Sequence, residues 1–122
     1  MEEEKMYNFD EDLSPQVLND FQESYGVTNN DMAVLMSVSE KTYYNIKQKE
    51  KLSPVNSDRL LTIQRIYKEG KEVFMSEDSF NDWLDTPQTA FGNIKPKKML
   101  STITGMFDVM NQLGRIKHGI LA

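Results

Sequence analysis

The 122 residues contain no cysteine and a single histidine, His118. The first absence removes disulfide scaffolds, thiolate zinc sites and thiol nucleophiles. The second leaves a Ser-His-Asp system or an imidazole metal cluster one ring to work with, so an enzyme is not expected and neither is a metal or other cofactor. Glycine and proline are sparse, at 6 and 4, too few for a fibrous repeat or a long Gly/Pro linker. No run approaches the ~18 apolar residues of a membrane span. The opening MEEEK is acidic where a secretion signal is basic, and a cytoplasmic protein is expected. Hydrophobic residues make up 39%, enough for a modest core and against disorder as the default. The length suits one ordinary domain, or two very small ones sharing a core.

A surplus of positive charge is also missing, since 19 acids outnumber 14 bases. As an average this opposes general nucleic-acid binding, but the charges are unevenly placed. Residues 1–25 hold eight acids and one lysine, whereas residues 93–122 hold five bases and one acid. The front, residues 1–13, reads as an acidic, solvated and mobile tail.

What is present is helical periodicity. No segment keeps the two-residue alternation of a strand, and an all-α fold follows. Ser14-Pro15 opens a helix carrying Val17, Leu18, Phe21 and Tyr25 up to Gly26. Thr28 caps a second, two-turn helix with Met32, Leu35 and Met36 inward and Asp31 reaching back to the free amides. Ser39 caps a third, with Tyr43 and Ile46 inward and Lys41, Tyr44, Asn45 and Gln48 outward. Ser53-Pro54 starts a longer helix through Leu60, Ile63 and Tyr67 to about Phe74, in which Gly70 reads as a weakness worth ~1 kcal/mol against alanine. Ser76 caps a short helix with Phe80, Trp83 and Leu84, halted before Pro87. Gly92 and Pro96 bracket a turn, and Thr102 caps a last helix whose apolar set is Ile103, Met106, Val109, Met110, Leu113 and Ile116.

Residues 28–48, TNNDMAVLMSVSEKTYYNIKQ, resemble a helix-turn-helix of the Xre/Cro phage-repressor kind. Ala33 supplies the small residue where two sharply crossed helices touch, and Met32, Met36, Val38, Tyr43 and Ile46 the apolar wedge. Ser37 stands where the turn usually has glycine. The resemblance implies DNA binding through Lys41, Tyr44, Asn45 and Gln48, with Ser39 holding a phosphate at the helix start. The same residues also fit the solvated face of a short helix in a bundle. Residues 26–53 carry a surplus of one positive charge, so one copy neutralises few phosphates and a homodimer is expected.

Residues 80–122 resemble the toxin-binding domain of the Xre/MbcA/ParS family of type II antitoxins. The carriers are Trp83, Leu84, Thr86-Pro87, Phe91-Gly92, Pro96, Leu100, Thr102 to Gly105, Val109, Leu113 and the ending Arg115-Ile116-Lys117-His118-Gly119. Asn93 stands where a second glycine is common, and Lys97-Lys98 makes this stretch unusually basic. The resemblance divides the chain into a tail (1–13), a helix-turn-helix domain (14–75) and a toxin-binding domain (76–122). It implies a RES-domain toxin, NAD-consuming or ADP-ribosylating, as partner, with operator DNA as the other. Arg115, Lys117, His118 and Gly119 are the implied toxin contacts, plugging a cleft made for pyrophosphate. A solvated helix end explains Arg115 and Lys117 equally, and a dipole partner His118. Trp83 reads more readily as core than as a contact. Two other functions stay open. A stand-alone repressor answering to another ligand would need a closed apolar pocket, and an enzyme would have to run on Asp82 and Asp85 without a nucleophile.

Overall fold

A computed structural model describes residues 13–119. Among them the fold is all-α: α1 (Gln16–Tyr25), α2 (Asn29–Met36), α3 (Glu40–Lys47), α4 (Pro54–Phe74), α5 (Glu77–Leu84), α6 (Pro96–Met99) and α7 (Ile103–Lys117), with a 3-10 turn at Thr89–Phe91. A lone antiparallel bridge joins Gln88 to Ile94 across that turn. The expected acidic tail lies outside the described residues except for Leu13.

Hydroxyl caps place five of these helices. The side chains of Thr28, Ser39, Ser53, Ser76 and Thr102 accept from the backbone N–H groups of Asp31, Thr42, Asn56, Ser79 and Gly105. Each closes one of the four donors that a helix start leaves open, at about 1 kcal/mol apiece. The first helix departs from this pattern. Pro15 occupies its cap position without a side-chain bond, and Ser14 Oγ accepts from Gln16 N at 3.2 Å. Gly26 closes α1 with φ 66°, and Val27 N–H returns to Gln22 O, the pairing that satisfies late helix carbonyls. Ser37 ends α2 with φ 61°, left-handed without being glycine, and Val38 N–H returns to Ala33 O at 2.9 Å. Asn93, at φ 66° beside Gly92, is a residue type that tolerates this region.

The core is organised around α4. Leu60, Ile63 and Ile66 have no exposure and Tyr67 very little, and α4 packs against α1 and α2 as well as α5 and α7. Both segments recognised in the sequence therefore share one helix. An aromatic chain crosses it: Phe21 meets Tyr67 edge-on with centroids 5.0 Å apart, Tyr67 meets Phe80 at 5.3 Å, and Phe80 stacks on Trp83 at 6.0 Å. Such pairs add to area burial because ring edges and faces carry opposite partial charge. Trp83 is half-buried and packs on this core, as its shared face with Phe80 and Leu84 suggested.

Two expectations change. Gly70 is a contact surface: a Cβ there would stand 2.2 Å from a ring carbon of Phe80, so the missing side chain lets α5 close on α4. Ile103 is half-exposed at 50%. It lies roughly 100° round the helix from the stripe of Gly105, Met106, Val109 and Leu113 that faces the core.

Candidate nucleic-acid and partner interfaces

The crossing of α2 on α3 is fixed from three sides. Ala33 is 3% exposed, which brings the two backbones close. Met32, Met36, Tyr43 and Ile46 are buried beside it. The Tyr43 hydroxyl donates to Gln22 Oε1 of α1, and Gln22 Nε2 donates to Val27 O and Asn29 Oδ1, each at 3.0 Å. One amide thus holds the third helix and the start of the second. Burial pushes the Tyr43 phenol up to about 12, and Lys47 Nζ stands 5.2 Å from the centre of its ring.

With Tyr43 and Ile46 turned inward, Lys41, Tyr44 and Asn45 share the opposite, exposed face of α3, and Gln48 follows exposed at its end. Tyr44 is 63% exposed, a large apolar ring without cover. Ser39 sits at the start of α3 with its Oγ accepting from Thr42 N–H at 3.1 Å. All five residues are exposed, on α3 and its caps.

At the other end of the chain, Arg115, Lys117, His118 and Gly119 are exposed on the last turn of α7 and just beyond it. Lys117 is not free, since its Nζ lies 3.5 Å from Glu69 Oε2 on α4. Arg115 lines an open groove of about 570 Å³ with Asp108, Asn111 and Gln112 on the α7 side and Phe91, Ile94 and Met99 opposite. His118 N–H bonds back to Gly114 O at 3.1 Å, and Gly119 turns the chain at φ 74°. Ile120 and Leu121 lie outside the described residues.

Two residues join the segments in a way that the sequence did not indicate. Lys97 Nζ is 3.3 Å from Asp31 Oδ2 and 3.3 Å from Asp85 Oδ1. Asp31 therefore points to α6 instead of back to the amides of α2, a long-range pairing that no local pattern encodes. Asp85 also meets Lys95 at 3.4 Å, and hydrogen bonds and charge from Lys97 and Lys95 hold its carboxyl below the usual range. Arg59 Nη1 donates to Leu35 O of α2 and to Ser101 O before α7, both at 3.2 Å.

Comparison with known proteins matches both regions. Residues 11–65 match the family described as the antitoxin Xre-like helix-turn-helix domain, and residues 69–119 the antitoxin Xre/MbcA/ParS C-terminal toxin-binding domain. A protein named antitoxin Xre from Photorhabdus laumondii is 33% identical over 75 residues, covering 61% of this chain and 51% of that protein. Another antitoxin Xre, from Yersinia enterocolitica, is 26% identical over 73 residues, covering 59% and 49%. The chain spans about half the length of these relatives. The chain thus carries, in this order, a region of the antitoxin Xre-like helix-turn-helix family and a region of the antitoxin Xre/MbcA/ParS C-terminal toxin-binding domain family.

Proposed function

We propose that the chain is a type II antitoxin acting in the cytoplasm, which neutralises a RES-domain toxin, NAD-consuming or ADP-ribosylating, by occluding its cleft. The observation that carries this reading is the exposed end of α7, where the cations Arg115 and Lys117 stand beside His118, within a segment matched to a toxin-binding domain. A helix end with charged donors suits a cleft that accepts pyrophosphate or carries carboxylates. Gly119 turns the backbone next to these groups.

The same chain silences its own promoter by placing α3 in the major groove. Lys41 serves phosphates, Asn45 and Gln48 serve base edges with adenine as the natural match, Tyr44 gives apolar contact, and Ser39 holds a phosphate. Two copies are needed, because half-sites are symmetric and one copy brings few cations. Labour divides near residue 75, with residues 14–75 reading DNA and 76–122 holding toxin. A repressor answering to a small ligand is less well supported, because the α7 groove is open where a sensor encloses its ligand.

Co-expression with the product of the adjacent reading frame tests the proposal. A toxic neighbour that becomes harmless and co-purifies with this chain is the expected result. A harmless neighbour that does not bind would refute it.

A further inference from the structure

α3 has eight residues, and two of them, Tyr43 and Ile46, are its buried anchors. Apolar burial holds a helix down without fixing its rotation, because it is non-directional. A roll of α3 by ~10° would carry the end of an outward side chain, ~6 Å from the helix axis, through about 1 Å. Side chains that read base edges need placement to about 0.5 Å. The roll must therefore be set by bonds that have direction.

Gln22 of α1 supplies them. Val27 N–H donates to the backbone carbonyl of Gln22 at 3.1 Å, and Gln22 Nε2 donates back to Val27 O at 3.0 Å, so the turn that ends α1 grips the side-chain amide. A backbone carbonyl can only accept, which fixes the amide with Nε2 toward Val27 and Oε1 away from it. Oε1 then takes the Tyr43 hydroxyl, while the second N–H goes to Asn29 Oδ1 at 3.0 Å. Asn30, next in sequence, donates to Glu40 at the start of α3. The bonds close a ring from α1 to α3, from α3 to α2 and from α2 back to α1. Tyr43 lies about 200° round the helix from Asn45, so the grip on its hydroxyl acts on the side of α3 opposite the outward face.

We infer that Gln22 is a positioning residue for base readout: acting through Tyr43, it sets the angle at which α3 presents Asn45 and Gln48. This rests on the DNA reading proposed above and names what makes that reading selective. Phosphate contacts are less exacting, since a lysine is a point charge on a flexible stem and follows a displaced phosphate. Loss of the Gln22 bonds therefore costs preference among sequences and not affinity for DNA as such.

Fluorescence anisotropy of the full chain on its own promoter and on a scrambled duplex is the test, with folding of each variant checked by circular dichroism. Gln22→Met keeps the length of the side chain and removes its bonds. It should cut the preference for the promoter about fivefold or more, the lower end of one lost base contact, while affinity for the scrambled duplex changes less than about twofold. Gln22→Glu adds a readout that a merely structural side chain does not give. Its carboxylate still accepts from Tyr43, but the other oxygen faces the Val27 carbonyl with no proton to donate, which raises its pKa above the ordinary ~4.3. Protonation restores that donor. Relative to wild type at each pH, the preference of Gln22→Glu should be low at about pH 8 and return at about pH 5.5, and the amide resonances of residues 40–48 should move along the same curve while those of α7 stay still. Should Gln22→Met not fold, the return of Gln22→Glu at low pH carries the test alone. Full preference kept by the folded variants would overturn the inference. So would a Gln22→Glu preference equally low at both pH values, because the bond to Val27 would then not be what positions α3. A wild-type chain without preference for its promoter would refute the DNA reading by itself. The α3 resonances of Gln22→Glu then decide, their titration upholding the positioning role and their stillness overturning it.

Discussion

Lys97 reaches across 66 positions of sequence to Asp31, its Nζ 3.3 Å from one carboxylate oxygen, and so fastens α6 to the helix that begins the helix-turn-helix. The two side chains are 25% and 30% exposed, between a surface pair and a buried one. A double-mutant cycle with Lys97→Met and Asp31→Asn in urea unfolding should give a coupling of roughly 0.5–1 kcal/mol, most of it lost in 1 M salt. Zero coupling at low salt would mean that the pair holds nothing together.

Gly70→Ala distinguishes a glycine that merely weakens a helix from one that makes room. Helix propensity alone predicts a gain of about 1 kcal/mol. The ring of Phe80, 2.2 Å from the new methyl, predicts a loss of about 1–3 kcal/mol from overpacking instead. Thermal unfolding decides between the two signs, and Phe80→Leu should relieve part of the loss.

Much of this architecture was legible in the sequence because it is local. A hydroxyl followed three residues later by its acceptor's partner N–H is a pattern within one turn, and Thr28, Ser39, Ser53, Ser76 and Thr102 cap as their positions suggested. The outward face of α3 follows from periodicity in the same way. What was not legible depends on pairs distant in sequence. Lys97 read as excess charge at a helix start until Asp31 and Asp85 were seen around it, and Gly70 read as a defect until Phe80 was placed against it. Arg59 gave no signal at all, since its acceptors are backbone carbonyls present at every residue.

The buried phenols make the protein weaken in alkali. Tyr43 is raised to about 12 by burial, and Tyr67 is raised further by burial and by the charge of Asp31. Below pH 10 folded and unfolded chains both keep these protons and stability is whole. Between pH 10 and 12 the unfolded chain loses them first, and stability falls by up to ~1.4 kcal/mol per pH unit for each phenol. Urea midpoints at pH 9, 10.5 and 11.5 should decline in that order. Tyr43→Phe should flatten the slope, and an unchanged slope would mean that Tyr43 is not protected as described.

The reading face proposed for α3 should separate into two kinds of contact. Lys41→Ala should weaken binding to every duplex and lower the salt slope by about 1. Asn45→Ala or Gln48→Ala should cost about 1–3 kcal/mol on the operator alone and relax preference at one base pair. Fluorescence anisotropy on the chain's own promoter and on a scrambled duplex resolves these patterns. Operator affinity unaltered by all three changes would remove α3 from the role of reader.

The central claim is that one end of the chain restrains a toxin while another reads DNA, and the double variant Arg115→Gln/Lys117→Gln addresses it most directly. Both residues are exposed, and Lys117 gives up only a partly exposed pair with Glu69, so folding stability should stay within about 1 kcal/mol of the parent. Survival of cells expressing the neighbouring toxin is measured alongside operator affinity of the purified variant. The account predicts that protection is lost while operator binding is retained. Full protection by a well-folded double variant would contradict it.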